Sequence, residues 1–276
     1  MQRLKQHHLE YILSFQHPRK RLAGLTGWND PNEAALFGLP VERFREIRQL
    51  CRGRMEAAAE AVLAEPQAAG HLAALPVEAG QTVVAFGDSI TDDWHSWAEM
   101  LGVALRQRFG QKNIKLINAG LSGDTTAEML SRFLSVVHTR PAWILCLAGT
   151  NNARRHGPAP AEPLLSPAET RRHLQRMHAW AEKASGARWV WLSPPPVIEG
   201  RQEVHWSMGP GQMTWRNADL EAIAAVTAEM PGTFVDLQQA FGHEPDREWY
   251  LADGLHPSVA GQQAILRALL ATWARS

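Results

Sequence analysis

The sequence has little of several features that would place it in a specialised class of protein. Only two of its 276 residues are cysteines, which excludes a scaffold stabilised by several disulfides. No run of about 18 apolar residues occurs, so no helix is expected to span a membrane. Lys and Arg together number 28, as do Asp and Glu, and the formal net charge is zero. Without a net charge of either sign, neither nucleic-acid binding nor stable membrane insertion is expected.

Sequence signals for metal ions, nucleotides and export are absent as well. The chain has 12 histidines, yet none lies at a zinc-binding spacing from a cysteine or a glutamate. Glycine-rich phosphate-binding patterns are missing, so no nucleotide or other cofactor is expected. The first ten residues are polar and lack the apolar core of a signal peptide. Together with the low cysteine count, this favours a cytoplasmic location.

The composition that remains is that of an ordinary globular chain. Hydrophobic residues make up 45% and charged residues 20% of the sequence, and its length fits one large domain or one domain with an extension. Apolar residues recur at steps of three and four between Pro40 and Glu65, which predicts a long helix. Residues 1–76 are interpreted as an N-terminal helical extension of a main domain at 77–276. Whether the extension packs on that domain, shapes the mouth of a site or forms a dimer contact stays open.

From residue 81 onwards, short apolar runs alternate with amphipathic runs. The apolar runs predict five strands, at Thr82–Phe86, Ile114–Asn118, Trp143–Ala148, Arg188–Leu192 and Thr233–Asp236. The amphipathic runs predict helices at Trp94–Phe109, Thr126–Val136, Pro167–Ala184, Gln212–Met230 and Ser258–Trp273. Strands that are apolar throughout and separated by helices indicate an α/β fold with a parallel sheet covered on both faces. Ligand sites of such sheets lie beyond the carboxyl ends of the strands.

Ser89 follows the first predicted strand at a sharp turn into a helix. Gly87 and Asp88 break the apolar run, so the Ser89 hydroxyl is expected at the carboxyl edge of the sheet beside free backbone N–H groups. A nucleophilic serine requires such exposure and such donors, although a serine that only caps a helix would occupy the same place. Small or polar residues also follow the next two strands and precede the last helix, at 118–126, 149–152 and 253–258.

A serine nucleophile needs a general base, and His256 is the best candidate. Asp253 lies three residues before it, so one turn can present both the base and the carboxylate that fixes its tautomer. Asp236, at the end of the fifth strand, competes for the role of the acid, and the spacing favours Asp253. An oxyanion would also need hydrogen-bond donors. Three groups are candidates: the backbone N–H of Ser89, the backbone N–H of Gly123 and the side-chain amide of Asn151.

Four sequence blocks resemble those of the SGNH hydrolases, also called the GDSL esterase/lipase family. The blocks are Gly87-Asp88-Ser89-Ile90, Ser122-Gly123-Asp124, Gly149-Thr150-Asn151-Asn152 and Asp253-Gly254-Leu255-His256-Pro257. The resemblance covers about 81–276 and implies a flavodoxin-like, three-layer α/β/α sandwich around a five-stranded parallel sheet. It implies Ser89 as the nucleophile of a triad with Asp253 and His256. It also implies an oxyanion hole formed by Ser89, Gly123 and Asn151; the next residue, Asn152, stands where many members carry Asp.

Two long loops near the predicted site carry apolar or stiff residues. The segment 194–215 begins with three prolines and contains large apolar side chains, so it is interpreted as a substrate wall or lid. A satellite core under a long loop is the alternative. The candidate wall residues are Trp206, Met208 and Trp215. The loop 157–167, with four prolines, is a second candidate wall, and Arg154 and Arg155 before it are expected to form a solvated pair.

Other polar residues near the blocks have structural interpretations. Asp92 and Asp93 are expected to cap the helix that follows the first block, and Asp124 to cap the helix that follows the second. His173 and His178 are expected to lie on a solvated helix face, among arginines, and not to bind a metal.

The resemblance therefore implies a serine esterase that cleaves carboxylic esters through an acyl-enzyme. Short acyl groups such as acetyl are favoured by analogy with the Gly-Asp-Ser-Ile-Thr form of the first block. Two alternatives remain open: a lysophospholipase or thioesterase acting on longer acyl chains, and a non-catalytic binding or assembly protein that keeps the fold. The expected partner is a small-molecule ester, and a homo-oligomer formed through the extension is also considered.

Overall fold

A five-stranded parallel sheet lies at the centre of the computed structural model, which describes residues 6–157 and 161–276. The strands are β1 Thr82–Gly87, β2 Lys115–Gly120, β3 Trp143–Leu147, β4 Arg188–Leu192 and β5 Thr233–Val235. They lie in the order β2-β1-β3-β4-β5, and every neighbouring pair is parallel. The predicted fold class is thus confirmed. The strand order reverses between β1 and β3, which places the expected ligand site beyond the carboxyl end of β1.

Helices precede and flank this sheet. The extension contains α1 Gln6–Phe15, α2 Pro18–Arg21, α3 Asp30–Leu36, α4 Val41–Leu63 and α5 Pro66–Ala73. The main domain contains α6 Ser89–Asp92, α7 Trp97–Phe109, α8 Thr126–Val137, α9 Pro167–Ser185, α10 Arg201–Val204, α11 Asn217–Ala228, α12 Leu237–Phe241 and α13 Val259–Trp273. The helix predicted from residue 212 begins five residues later. The first turn of α3 is capped by the Asn29 side chain, which accepts a hydrogen bond from Asn32 N–H.

Alternate residues of the strands belong to two separate hydrophobic clusters. In β1, Val83 and Ala85 join one cluster, whereas Val84 and Phe86 join the other. Helices α4, α5, α7 and α13 cover the first cluster, and α8, α9 and α11 contribute to the second. The sheet is therefore the middle of three layers, because each face of every strand has its own apolar partners.

The N-terminal extension belongs to two parts of the core. Side chains of α4 and α5, among them the fully buried Val62 and the nearly buried Leu72, join the first cluster of the sheet. Further upstream, the extension forms a smaller cluster of its own, made by Leu13, Ala34, Phe44, Ile47 and Cys51. The second half of the extension therefore shares its core with the sheet, and the boundary at residue 76 stays a prediction.

The helix predicted over 94–109 begins three residues later in the structure. Helix α7 begins after Ser96, whose hydroxyl accepts a hydrogen bond from Glu99 N–H at 3.3 Å. The predicted caps Asp92 and Asp93 do not hold the start of this helix. Asp92 instead pairs with Lys20 of α2 at 2.6 Å, because a nearly buried carboxylate is stabilised more by a cation than by a helix end alone.

Candidate active site

The turn after β1 holds Ser89 at the carboxyl edge of the sheet. The Asp88 side chain accepts a hydrogen bond from Ile90 N–H at 3.0 Å, which fixes the first turn of α6. A Cβ atom at Gly87 would lie 2.4 Å from the Leu147 carbonyl oxygen of β3, so only glycine fits this close approach. These two constraints set the direction in which the chain leaves the sheet at Ser89.

His256 and Asp253 lie at the same edge, in the loop that precedes α13. Asp253 Oδ2 lies 2.8 Å from His256 Nδ1, and His256 Nε2 lies 2.9 Å from Ser89 Oγ. Asp253 Oδ1 accepts the backbone N–H groups of Leu255 and His256 at 2.7 and 2.8 Å. All three side chains are buried. They form a continuous hydrogen-bond chain of nucleophile, base and acid types.

Burial and charge set the protonation of these side chains. Burial alone would raise the pKa of Asp253, but the charge of His256 and the hydrogen bonds from the loop lower this pKa to about 2. Burial alone would lower the pKa of His256, but the Asp253 carboxylate raises it above its ordinary value of 6.5. Asp253 therefore stays ionised near neutral pH, where it stabilises a proton on the imidazole.

Gly123 and Asn151 line the same cleft as Ser89. Gly123 has a φ of +87°, in the left-handed region that favours glycine. Asn151 Nδ2 donates to the Asp124 carbonyl at 3.1 Å, which ties the amide to the loop that carries Gly123. The structure thus brings the residues of all three predicted donors to one cleft.

Asn152, the departure from the family pattern, fixes two helices behind this cleft. Its Oδ1 accepts Thr126 N–H at 2.9 Å. Its Nδ2 donates to the hydroxyl oxygens of Thr126 and Thr170, at 2.8 and 2.7 Å. An aspartate can accept the first bond but has no hydrogen to donate in the other two. The amide therefore holds the starts of α8 and α9 beside Asn151.

A cleft of about 450 Å³ opens onto Ser89. All three predicted wall residues line it: Trp206, Met208 and Trp215. Trp215 donates its indole N–H to the Thr150 carbonyl at 2.9 Å, which anchors the segment 194–215 to the loop after β3. Met208 and Trp215 also belong to a small hydrophobic cluster beneath this segment. The segment thus forms a satellite core and lines the cleft at the same time.

Helix α1 forms another part of the cleft wall, which is one of the roles that the sequence left open for the extension. Tyr11 and Phe15 both line the cleft. The Tyr11 hydroxyl donates to Asp253 Oδ2 at 2.9 Å, and the Phe15 ring centroid lies 4.2 Å from that of His256. The extension therefore shapes the mouth of the site. No sequence signal pairs Tyr11 with Asp253, because 242 positions separate them.

Two structural roles predicted near the site are wrong. Asp124 does not cap α8, because it pairs with Arg132 at 2.6 Å, and Thr125 caps the helix in its place. Arg155 is not solvated, because its guanidinium donates two hydrogen bonds to Asp219, at 2.8 and 2.9 Å. In both cases an oppositely charged side chain, Arg132 of α8 for Asp124 and Asp219 of α11 for Arg155, sets the position.

Asp236, Arg154 and His173 were also singled out in the sequence, and each has a different environment in the structure. Asp236, the rival for the triad acid, caps α12 by accepting Gln239 N–H at 3.0 Å. Arg154, unlike its neighbour, lines the cleft. His173 is not simply solvated, since its Nδ1 lies 3.0 Å from Thr126 Oγ1 at the start of α8.

The remaining expectations concern metals, membranes and cysteines. Within residues 6–157 and 161–276, no three His, Cys, Asp or Glu side chains are grouped so as to hold a metal ion. No helix in this part of the chain combines the length and the apolar character that a bilayer crossing requires. Cys51 and Cys146 are free and buried. Residues 158–160, part of the second candidate wall, lie outside the described residues.

Comparison with known proteins links this geometry to a family. The model of the GDSL-like Lipase/Acylhydrolase family matches residues 85–264. The acetylxylan esterase of Geobacillus stearothermophilus is 26% identical over 231 residues, which are 73% of this chain and 100% of that protein. Esterase TesA of Pseudomonas aeruginosa is 26% identical over 201 residues, which are 68% of this chain and 85% of that protein.

A solved structure shares the fold of the main domain. The crystal structure of Axe2, an acetylxylan esterase from Geobacillus stearothermophilus, is similar with a TM-score of 0.55 at 20% identity. The likeness covers 71% of this chain and 95% of that chain. The family match begins at residue 85, so the first five helices and the mouth of the cleft that α1 forms lie outside it. The chain belongs to the GDSL-like lipase/acylhydrolase family, the SGNH hydrolases, and is a carboxylic ester hydrolase.

Proposed function

We propose that this chain is a serine esterase that cleaves short acyl esters through Ser89, His256 and Asp253. The observation that carries the proposal is the unbroken hydrogen-bond chain from Asp253 Oδ2 through His256 to Ser89 Oγ. A serine hydroxyl beside a base, with the base oriented by a buried carboxylate, is the arrangement that activates serine for attack on a carbonyl carbon.

In the first step, Ser89 Oγ attacks the ester carbonyl carbon while His256 Nε2 takes the hydroxyl proton. The carbonyl oxygen becomes an oxyanion, which accepts hydrogen bonds from the donor groups of the cleft. These groups are the backbone N–H of Ser89, the backbone N–H of Gly123 and the amide of Asn151. The bond to the alcohol oxygen then breaks, and the alcohol leaves with the proton from His256. The acyl group stays on Ser89.

In the second step, a water molecule attacks the acyl carbon while His256 takes one of its protons. The acid product leaves, and Ser89 recovers its proton. Because His256 must be neutral to act as a base, kcat/KM should rise with pH as the imidazole loses its proton. Asp253 raises the pKa of His256, so this rise should lie above the ordinary histidine value of 6.5.

The cleft suits an ester of modest size. A volume of about 450 Å³ accommodates a short acyl group with part of a sugar or a small alcohol. The similarity to an acetylxylan esterase supports an acetyl ester of a carbohydrate or small alcohol as the substrate class.

An apolar wall favours a longer acyl chain as the second candidate. The apolar residues that line the cleft include Ile12, Phe15, Met208, Met213 and Leu255. A lysophospholipid or a thioester would place its acyl chain against this surface. A purely non-catalytic binding role is less favoured, because binding alone does not require a hydrogen-bonded Ser-His-Asp arrangement.

Hydrolysis of 4-nitrophenyl esters from acetate to palmitate tests the proposal. The wild-type protein should cleave the acetate and butyrate esters fastest, and Ser89→Ala should lower kcat roughly 10⁴- to 10⁶-fold. Ser135→Ala is the matched control, since Ser135 lies exposed on α8 and bonds only to the backbone of its own helix. A preference for palmitate would favour the second candidate.

A fluorophosphonate probe separates a narrow substrate range from a lack of catalysis. If no ester is cleaved, covalent labelling of wild type but not of Ser89→Ala would still show an activated nucleophile. Failure to label wild-type protein, together with the absence of turnover, would contradict the proposal.

The proposal includes a cytoplasmic location and a small-molecule ester as the partner. The proposal also includes a homo-oligomer whose contacts are formed by the N-terminal extension. It is supported by exposed apolar side chains on that extension: Leu22, Leu25, Leu36 and Leu50. Light scattering coupled to size exclusion tests it, with Leu36→Glu expected to dissociate the oligomer. A wild-type chain that elutes as a monomer would contradict this part.

A further inference from the structure

The first 16 described residues, 6–21, lie across the active-site cleft and are here named the mouth segment. It comprises α1, a two-residue connection and α2. Its cleft-lining residues are Tyr11, Ile12, Phe15 and Gln16. The family match begins only at residue 85, so this part of the wall has no counterpart in the matched region.

The Tyr11 hydroxyl completes the hydrogen bonding of the Asp253 carboxylate. A carboxylate has about four acceptor positions. Three are taken from within the loop, by the backbone N–H groups of Leu255 and His256 and by His256 Nδ1. The fourth is taken by Tyr11, which donates to Oδ2 at 2.9 Å. Asp253 is fully buried, so no bulk water replaces a missing donor.

The same hydroxyl lies close to the base. The Tyr11 oxygen is 3.3 Å from His256 Nδ1, the nitrogen that faces Asp253. The Phe15 ring lies over the imidazole at a centroid distance of 4.2 Å with an interplanar angle of 31°. Tyr11 and Phe15 therefore restrict the imidazole from the side that the loop of Asp253 leaves open.

The other end of the mouth segment is tied to the oxyanion loop. His17 Nδ1 and Lys20 Nζ both lie 2.6 Å from Asp92 Oδ1. The second oxygen of Asp92 accepts the backbone N–H of Ser122 at 3.0 Å and its hydroxyl at 2.9 Å. Since Ser122 precedes Gly123, the segment is fixed at both ends to groups that the proposed reaction uses.

We propose that Tyr11 is a positioning residue for the proposed triad: its hydroxyl holds the Asp253 carboxylate in the orientation that presents His256 to Ser89. The inference rests on the proposed function. The Tyr11 hydroxyl acts through Asp253, because it bonds this carboxylate and not the reacting atoms Ser89 Oγ and His256 Nε2. The mouth segment is then part of the catalytic apparatus and not a separate module.

The hydroxyl should also tune the basicity of His256. A donor on Asp253 Oδ2 takes up part of the negative charge that stabilises the imidazolium. Without this donor, the carboxylate attracts the imidazolium more strongly, so His256 should hold its proton to higher pH. The other charged or titratable groups that act on His256 are unchanged by the substitution; they are Asp88, Asp93, Asp253 and His205.

The experiment compares Tyr11→Phe with Tyr250→Phe. The chain has only two tyrosines; Tyr11 is partly buried and Tyr250 is buried, and each donates a hydroxyl hydrogen bond, Tyr250 to the Pro196 carbonyl. Tyr11→Phe should lower kcat about tenfold and change KM less than about twofold, because the substrate-binding wall keeps its ring. The pKa of His256, measured by NMR of its ring protons, should rise by about half a unit or more. Tyr250→Phe should alter neither quantity.

The NMR titration separates this inference from the esterase proposal. It needs no substrate, so it remains decisive even if no ester is cleaved. An unchanged His256 pKa in Tyr11→Phe would overturn the positioning role, whatever happens to kcat. An equal shift in Tyr250→Phe would also overturn it, because the effect would then follow from any lost tyrosine hydroxyl. A rise confined to Tyr11→Phe supports it.

Discussion

The Asp253–His256 loop and the mouth segment contact the same carboxylate but reach it in different ways. The loop supplies acid and base three residues apart, so one turn of chain sets their geometry. The mouth segment supplies Tyr11 across 242 positions of sequence, through the packing of α1 on the finished domain. Residue spacing alone sets the geometry of Asp253 and His256. The contact between Tyr11 and Asp253, in contrast, forms only when α1 packs on the folded domain.

The largest expected effect tests the loop side of this comparison. Asp253→Asn should lower kcat about 10⁴-fold, because the amide favours the wrong imidazole tautomer and leaves the imidazolium unpaired. Asp236→Asn is the matched control, since this aspartate only caps α12. Steady-state kinetics with an active ester measures both. A loss below about tenfold in Asp253→Asn would assign the acid role elsewhere.

The next prediction asks whether the extension folds with the sheet. Leu72→Ala should lower the free energy of unfolding by about 2–5 kcal/mol, because Leu72 of α5 is buried in the cluster shared with β1 and α13. Leu134→Ala on α8 is the control, with a side chain that is 55% exposed, and should change stability by less than about 0.5 kcal/mol. Urea unfolding should show one transition. A separate transition of the extension would contradict a shared core.

Asp88, the residue before Ser89, should make the free energy of unfolding depend on pH. Burial raises the pKa of Asp88 to about 6 in the folded chain, above its value in an unfolded chain. The folded state therefore binds more protons between about pH 4 and 6, and its stability falls as pH rises through this window. Asp88→Asn has no carboxyl to ionise and therefore does not lose stability in this window. The difference in unfolding free energy between Asp88→Asn and wild type should increase by about 2–3 kcal/mol from pH 4 to pH 8. Thermal unfolding at both pH values measures the difference, and a pH-independent difference would exclude the raised pKa.

The smallest effect concerns the second anchor of the mouth segment. Lys20→Met should lower kcat/KM about two- to fivefold, since His17 still holds Asp92 and the Lys20 side chain is partly solvated. Arg45→Met removes an exposed ion pair with Asp30, far from the cleft lining, and should have no effect. Equal kinetics of Lys20→Met and wild type would restrict the role of the mouth segment to its Tyr11 end.

Strand and loop positions were the parts most accessible to sequence reasoning. The five predicted strands and the edge that carries Ser89 follow from apolar runs and their breakers, which act over a few residues. The triad partners were predictable because the loop presents Asp253 and His256 together. The roles of these residues in catalysis stay predictions until the kinetic experiments are done.

The errors share one cause. Asp92 and Asp124 were assigned to helix caps because each precedes a helix in the sequence. In the structure Lys20 pairs with the first and Arg132 with the second, and an ion pair at a nearly buried carboxylate outweighs a cap. Lys20 lies on a distant helix and Arg132 lies two turns into α8, so residues next to the helix start do not reveal either partner.

The sequence by itself determined the α/β class, the strand positions and the clustering of Ser89, Gly123, Asn151 and the Asp253–His256 pair at one sheet edge. These features depend on periodicity and short spacing, which are properties of neighbouring residues. Only the tertiary structure decided the mouth of the cleft, where α1 lies over His256 and Tyr11 reaches Asp253. Such contacts depend on which apolar surfaces remain to be covered after the sheet has formed, and no local pattern encodes that choice.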